Sequence, residues 1–391
     1  MAVLPPKQRR WSWRSQALRG VVYQVLAVAL LAAAIGYLAH NTLANMRARG
    51  IQSGFDFITQ PAGFAIGESL IPFDSSDSYA KAFLVGLSNT LRVSLVGIVL
   101  ATAIGLMVGV GRLSRNPLVR GLCRAYVEAT RNVPLLLQLF MWYFAITEFL
   151  PSMDGALQPL PHVFLSKAGL QFPLPDESAS HFYTGIGFLL GIPASWGWLR
   201  FARARREATG RALPLALPVI ALWVLGGLAG WWADGAPTAL DVPVRSQIAI
   251  NGGGAVTPEY LTVLLGLTIY TAGFISEVVR GGIQSVAFGQ IEAASALGLS
   301  RALSLRLVQL PQALRVIIPP LTNQYLNLTK NSSLAVAVGY PDLVSISETS
   351  LNQTGRAVEC ITIVMAIYLM LSLLTSALMG WYNRRARLKE R

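Results

Sequence analysis

The segment Gly289-Gln290-Ile291-Glu292-Ala293-Ala294 runs through three residues to Gly298 and, nine residues later, closes on Val308-Gln309-Leu310-Pro311. It is a polar gap between two strongly apolar stretches. Glu and Ala are good helix formers and by themselves say little. The glycines say more. Gly289 precedes a short helix over Gln290 to Leu297, and Gly298 ends it by entering the left-handed backbone that costs glycine least. Ser300 then caps the next helix, and Leu310-Pro311 leads into the following apolar run.

Those two stretches belong to a larger set. Apolar residues make up 53% of the 391, charged residues only 13%, and mean hydropathy is +0.50. A water-soluble surface could hardly be assembled from that composition. A bilayer core takes about 20 apolar residues per helix. Residues 20–39, 85–111, 125–149, 182–199, 212–232, 259–280, 312–338 and 359–382 qualify. The expected fold is an all-α integral membrane protein with about eight transmembrane helices. The stretch 312–338 contains Arg315, Pro319, Pro320 and Lys330, and is expected to run as a broken or kinked span.

A net charge of +13 invites a nucleic-acid partner, and its distribution argues otherwise. Basic residues cluster at Lys7 to Arg19, Arg112 to Arg124, Arg200 to Arg211, Arg280 to Arg315 and Arg384 to Arg391, at alternate ends of the spans. The intervening loops hold Asp74, Asp77, Asp154, Asp176, Glu177, Asp234 and Asp241. This is the positive-inside pattern, which puts both termini and the 289–311 loop in the cytoplasm. The lipid bilayer, with its anionic headgroups, accounts for the basic balance. No nucleic acid is needed.

Residues 21–39 are long for a signal core and lack a clear cleavage site, so the first helix is read as retained. Cys123 and Cys360 are too few and too separated for a disulfide framework, and His40, His162 and His181 have no ligand spacing. The chain divides into residues 1–84 (tail, first helix, outward segment), 85–150 (first part of a core) and 151–258 (Pro/Gly-rich outward loops around a helical hairpin at 182–232). Residues 259–383, with the 289–311 loop, form the second part of the core, and 384–391 a basic tail. Gly105/Gly109, Gly187/Gly191 and Gly226/Gly230 are small pairs four apart, suited to close helix packing.

Five stretches occur in an ordered series. They are Thr90-Leu91 within Gly86-Leu-Ser-Asn-Thr-Leu, Arg131-Asn-Val-Pro-Leu-Leu-Leu-Gln-Leu-Phe140, Glu277-Val-Val-Arg-Gly-Gly-Ile283, Gly289-Gln-Ile-Glu-Ala-Ala294 and Lys330-Asn-Ser-Ser-Leu334. Together they resemble the polar amino-acid permeases of binding-protein-dependent ABC importers, whose cytoplasmic signature is the EAA loop. The resemblance covers 86–150 and 258–382. The extra first helix, the outward segment through Phe55 to Asn89 and the inserted hairpin resemble the larger subunits of general L-amino-acid importers of the Aap/Bzt type. Asn331-Ser332 departs from the pattern, since relatives often carry Asp-Thr there.

The resemblance implies a five-helix type I importer core, plus an N-terminal helix and an inserted hairpin, in the bacterial inner membrane. It implies a second homologous permease, two ATPase subunits, an extracytoplasmic amino-acid-binding protein and an amino-acid substrate. Glu292, Ala293, Ala294, Gly298, Leu310 and Pro311 match the loop that couples to the ATPase. The chain contains no Gly-Lys dipeptide, so it has no phosphate-binding loop of its own. ATP and Mg²⁺ are therefore expected on the partner ATPase, with no cofactor here and no enzymatic role. An ATP-independent secondary transporter or channel, the alternative, would need ion-coupling carboxylates inside its spans, and these are nearly absent.

Candidates for the substrate path are Lys330, Asn331, Gln138 and Thr90. Lys330 is the only lysine inside a span and could meet a substrate carboxylate, snorkel to an interface, or pair with an acid. Thr90 and Gln138, like Asn89, are equally suited to hydrogen bonds between helices. Glu277 and Arg280, three apart, read as a structural ion pair.

Overall fold

The computed structural model describes residues 16–48, 50, 53–176, 181–210, 213–246 and 249–386. Lys7 to Arg14, Glu177, Arg211 and the tail from Arg387 lie outside them. The first half of the chain runs α1 (Gln16–Ala48), α2 (Tyr79–Gly111), α3 (Pro117–Asn132), α4 (Leu135–Phe149), β1 (Leu157–Leu160), β2 (Val163–Ser166), β3 (Gly169–Phe172) and β4 (Leu174–Pro175). The hairpin follows as α5 (Phe182–Thr209) and α6 (Ala216–Ala233), then β5 (Leu240–Asp241), β6 (Val244–Arg245), β7 (Ile250–Asn251) and β8 (Gly254–Val256). The rest is helical: α7 (Pro258–Gln284), α8 (Phe288–Ala296), α9 (Arg301–Ser304), α10 (Leu310–Asn331), α11 (Leu343–Thr354) and α12 (Ala357–Ala386).

The all-α membrane class holds. Helices α1, α2, α7 and α12 are long and apolar enough to cross a bilayer, and α4 and most of α6 are shorter apolar helices. Helix α5 carries Arg200, Arg203, Arg205 and Arg206, and α10 carries Arg315 and Lys330, which lowers their apolarity. The expected span 125–149 is two helices that meet at Val133-Pro134. The proline forces Val133 out of the helical region, to φ −102 and ψ 128, and then opens α4. Helix α3 is amphipathic, burying Val127 and Thr130 while an exposed Arg124–Glu128 pair closes at 2.7 Å.

The break expected in 312–338 falls late. Pro319 and Pro320 sit inside α10 without ending it, and 3₁₀ turns replace the α-helix only over Ser332–Val338, up to Gly339. A π turn over Leu305–Gln309 comes before Pro311. The wider turn suits a proline that lacks an N–H and crowds the carbonyl four residues back. Two features were not expected from the sequence. Helix α11 starts at a carboxylate cap, Asp342 accepting from the Ser345 N–H at 2.9 Å. The outward loops hold an antiparallel sheet in the order β1-β2-β3-β8, with the short ladders β4–β5 and β6–β7.

The described residues form two units, one within 16–90 and 341–382, the other within 91–340 and 383–386. The first has a core around Phe57, Tyr79, Phe83, Leu343 and Ile346. Arg356 there fixes the outward segment, donating to the Gly54 carbonyl at 2.6 Å and to both carboxylate oxygens of Asp56 at 2.6 and 2.9 Å. The core of the second is built on α7, with Val263, Leu267, Ile275 and Val279 buried beside Val93, Leu139 and Leu328.

In the hairpin, Gly187 of α5 lies against the backbone of Gly226 of α6 so closely that an added Cβ would overlap its carbonyl. Trp223 donates to Ser195 at 3.0 Å across the same seam. Gly187→Val is therefore expected to destabilise the hairpin by about 1–3 kcal/mol. The effect should appear as faster proteolysis between residues 176 and 240 and a lower Tm in detergent.

Candidate functional site

Two places in the second unit have the geometry of working sites. One is the loop after α7. Helix α8 starts at Phe288, so Gly289 lies in its first turn instead of preceding it. Its end follows the sequence expectation. Gly298 has φ 74, its N–H donates to the Ser295 carbonyl at 3.0 Å, and the Leu299 N–H donates to the Ala294 carbonyl at 3.1 Å. This paired closure satisfies carbonyls that a helix end would leave orphaned. Ser300 then accepts from the Leu303 N–H at 3.4 Å, at the head of α9. Ala294 is buried, whereas Glu292, Ala293 and Gly298 are exposed. Phe288 and Leu297, at opposite ends of α8, are 70% and 80% exposed. Leu310 is exposed and Pro311 half-buried where α10 begins.

The second place is a cavity of about 330 Å³ between α7 and α10. Tyr270, Thr271 and Phe274 line it from α7, and Gln324, Asn327 and Asn331 from α10. Of the four residues named from sequence for the substrate path, Asn331 is in this lining. Lys330 is exposed beside it, with no ion pair among the described residues. The other two have their polar atoms in use elsewhere. Gln138 is buried in the α3–α4 break, donating to the carbonyls of Thr130 at 2.8 Å and Val133 at 2.9 Å. Thr90 accepts the Leu343 N–H at 3.1 Å, at the head of α11 in the first unit.

Toward the α8 end of α7, Glu277 bonds Arg280 one turn on, the pair expected from their spacing. It also bonds Arg112 at the end of α2, and Arg131 of α3 stands 3.9 Å away. Arg131 lies over the Phe274 ring, 5.1 Å from its centroid. Arg112 and Arg131, read from sequence only as parts of a basic cluster and a family motif, and Tyr270, Thr271, Phe274, Gln324 and Asn327 were not expected at a site. A signal for the last two was present: Gln324, Asn327 and Asn331 recur at spacings of three and four, which places three amides on one helix face.

The family described as binding-protein-dependent transport system inner membrane component matches residues 212–388. The general L-amino acid transport system permease protein AapQ of Rhizobium johnstonii is 46% identical, over 97% of this chain and 96% of that one. The putative amino-acid ABC transporter permease protein YhdX of Escherichia coli is 44% identical over 97% of each chain. The glutamate/glutamine/aspartate/asparagine transport system permease protein BztB of Rhodobacter capsulatus is 38% identical over 95% of each.

The placement of Gln138 has a measurable consequence. Gln138→Leu keeps the apolar volume but leaves the Thr130 and Val133 carbonyls short of a donor, at about 1–3 kcal/mol. A lower Tm of the purified chain is expected, whereas a Tm equal to wild type would show that the break is held by other contacts.

Proposed function

The chain belongs to the family of amino-acid ABC-transporter permeases, and on that premise we propose that it forms one side of a translocation path for L-amino acids, paired with a second homologous permease. It is a membrane-embedded transport subunit, not an enzyme. ATP and Mg²⁺ bind on two separate ATPase subunits, and an extracytoplasmic binding protein delivers the substrate. The membrane is the bacterial inner membrane, with both termini and the α8 loop in the cytoplasm.

The observation that carries this reading is α8 itself. It is a helix of nine residues, closed at its C-terminal end, whose end apolar groups, Phe288 and Leu297, lie exposed among the described residues. Exposed apolar knobs at the ends of a rigid helix suit docking into a groove on a partner. Glu292 and Gly298 lie on that helix and at its end. Closure of two ATPases would press two such helices together and rock the packed spans as bodies. The cavity suits the cargo. Its volume falls in the range of small-ligand sites, roughly 300–1,000 Å³. Its amides and Tyr270 offer hydrogen bonds to amino-acid polar groups without selecting one charge, and Lys330 stands beside it.

Two experiments test the reading. Glu292→Lys and Gly298→Asp, the latter straining a left-handed turn by roughly 1 kcal/mol, are expected to leave accumulation in the membrane intact. Each should lower ATP-dependent amino-acid uptake by the reconstituted complex at least tenfold. Normal uptake with both changes would reduce α8 to a connector. For orientation, cysteines placed at Ser76 and Asp176 should react with an impermeant thiol reagent added outside intact cells, and those at Ser114 and Arg205 should not.

A further inference from the structure

The charges around Glu277 do not balance. Arg112 bonds one carboxylate oxygen and Arg280 the other. Arg131, at the end of α3, stands 3.9 Å from that carboxylate, beyond hydrogen-bond reach. Three guanidiniums share one acid, and Arg131 is the surplus cation. Its side chain lies 5.1 Å from the centroid of Phe274, and that ring is part of the cavity wall.

We infer that Arg131 takes the carboxylate of the substrate as it leaves the cavity toward the α8 end of α7. The inference rests on the reading of the cavity as the substrate path. The lining contains aromatic, hydroxyl and amide groups and no charged side chain. Such groups can hydrogen-bond a carboxylate but cannot neutralise it, and an uncompensated charge away from water is costly. Among the described residues, two cations near the cavity are loosely held, one at each end: Lys330 has no ion pair and Arg131 has only the long one to Glu277. Lys330 adjoins Asn331 at the end remote from α8. Arg131 adjoins Phe274 at the end toward α8. Arg112 and Arg280 are committed to Glu277.

Arginine suits the task because its planar fork can donate two parallel hydrogen bonds to a carboxylate. Glu277, 3.9 Å away, also provides the means of release. It competes for the same guanidinium, so the substrate meets a cation that can exchange partners without trapping it.

The test is uptake of radiolabelled L-glutamine by liposomes containing the full complex with its binding protein. Arg131→Gln is expected to lower the maximal rate at least tenfold and to leave the half-saturating substrate concentration, set by the binding protein, unchanged. An unchanged maximal rate overturns the assignment. Arg131→Lys keeps the charge of the ion cluster but loses the fork, so at least a threefold loss is expected, and a wild-type rate again overturns it. The double variant R131Q/E277Q separates cargo contact from ion pairing. Uptake should stay low if Arg131 meets the substrate, and its recovery would make Arg131 only a partner of Glu277. Asn327→Trp, which fills the cavity, tests the underlying reading. Normal uptake by N327W would remove the cavity from the path and this proposal with it. Blocked uptake by N327W beside normal uptake by R131Q would overturn the Arg131 assignment alone.

Discussion

Helices α2, α3, α4 and α10 reach α7 through glycines, on its surface or on theirs. Gly266, Gly273 and Gly282 of α7 receive Leu139 of α4, Thr130 of α3 and Ile317 of α10, and Gly105 and Gly109 of α2 lie against Ile275 and Val279. Between lipid-facing helices there is little hydrophobic force, because acyl chains are as apolar as leucine. Association depends on close van der Waals contact, which small residues permit. A helix held this tightly on several sides moves as a body and does not bend locally, since packed interiors deform little. The cavity opens on the middle of α7 and α8 follows its end, so the two candidate sites share one packed element.

Much of this was legible because the bilayer is a strict solvent. It demands long apolar helices, and that mark survives in sequence. The α8 loop was legible for a different reason. Its closure depends on backbone conformation at Gly298 and a side-chain cap at Ser300, which are local signals. Where the expectations failed, the cause lay in a proline or in pairing at long range. Pro134 divides the expected span 125–149 into two helices, amphipathic α3 and apolar α4. Pro319 and Pro320 leave α10 unbroken, while the turn changes at Ser332, a position composition does not mark. The sheet joins β3 to β8, with Leu170 opposite Val256, a pairing invisible to any window along the chain.

The candidate path residues show the same limit at single side chains. In an apolar span every polar residue looks functional, because its cost in lipid is the same whatever it does. What separates Gln138 from Asn327 is the nearest free backbone group. Gln138 lies in the first turn of α4, next to carbonyls freed by the Val133-Pro134 break, and its amide is consumed there. Thr90 meets an N–H at the head of α11 that has no partner in its own helix. Asn327 faces the cavity from inside α10, where backbone groups are already paired, and Asn331 from its last residue.

The α5–α6 hairpin illustrates how such a core tolerates insertion. Strands on its two sides pair with each other, Phe172 with Gly254 and Pro175 with Leu240, so the points where the insertion leaves and returns are neighbours. Asp234, just past α6, accepts the N–H groups of Tyr183 and Thr184 at 3.1 and 2.8 Å and the Thr184 hydroxyl at 2.7 Å, which ties the exit of the hairpin to its entry. The ends are therefore brought together by local hydrogen bonds, next to strands whose Val256, Leu170 and Phe172 join the core. Loop-closure cost grows only slowly with length, so a closed insertion of this size adds little strain. Helices α4 and α7 can keep the contact at Gly266 and Leu139 that positions the cavity, whatever the hairpin itself comes to bind.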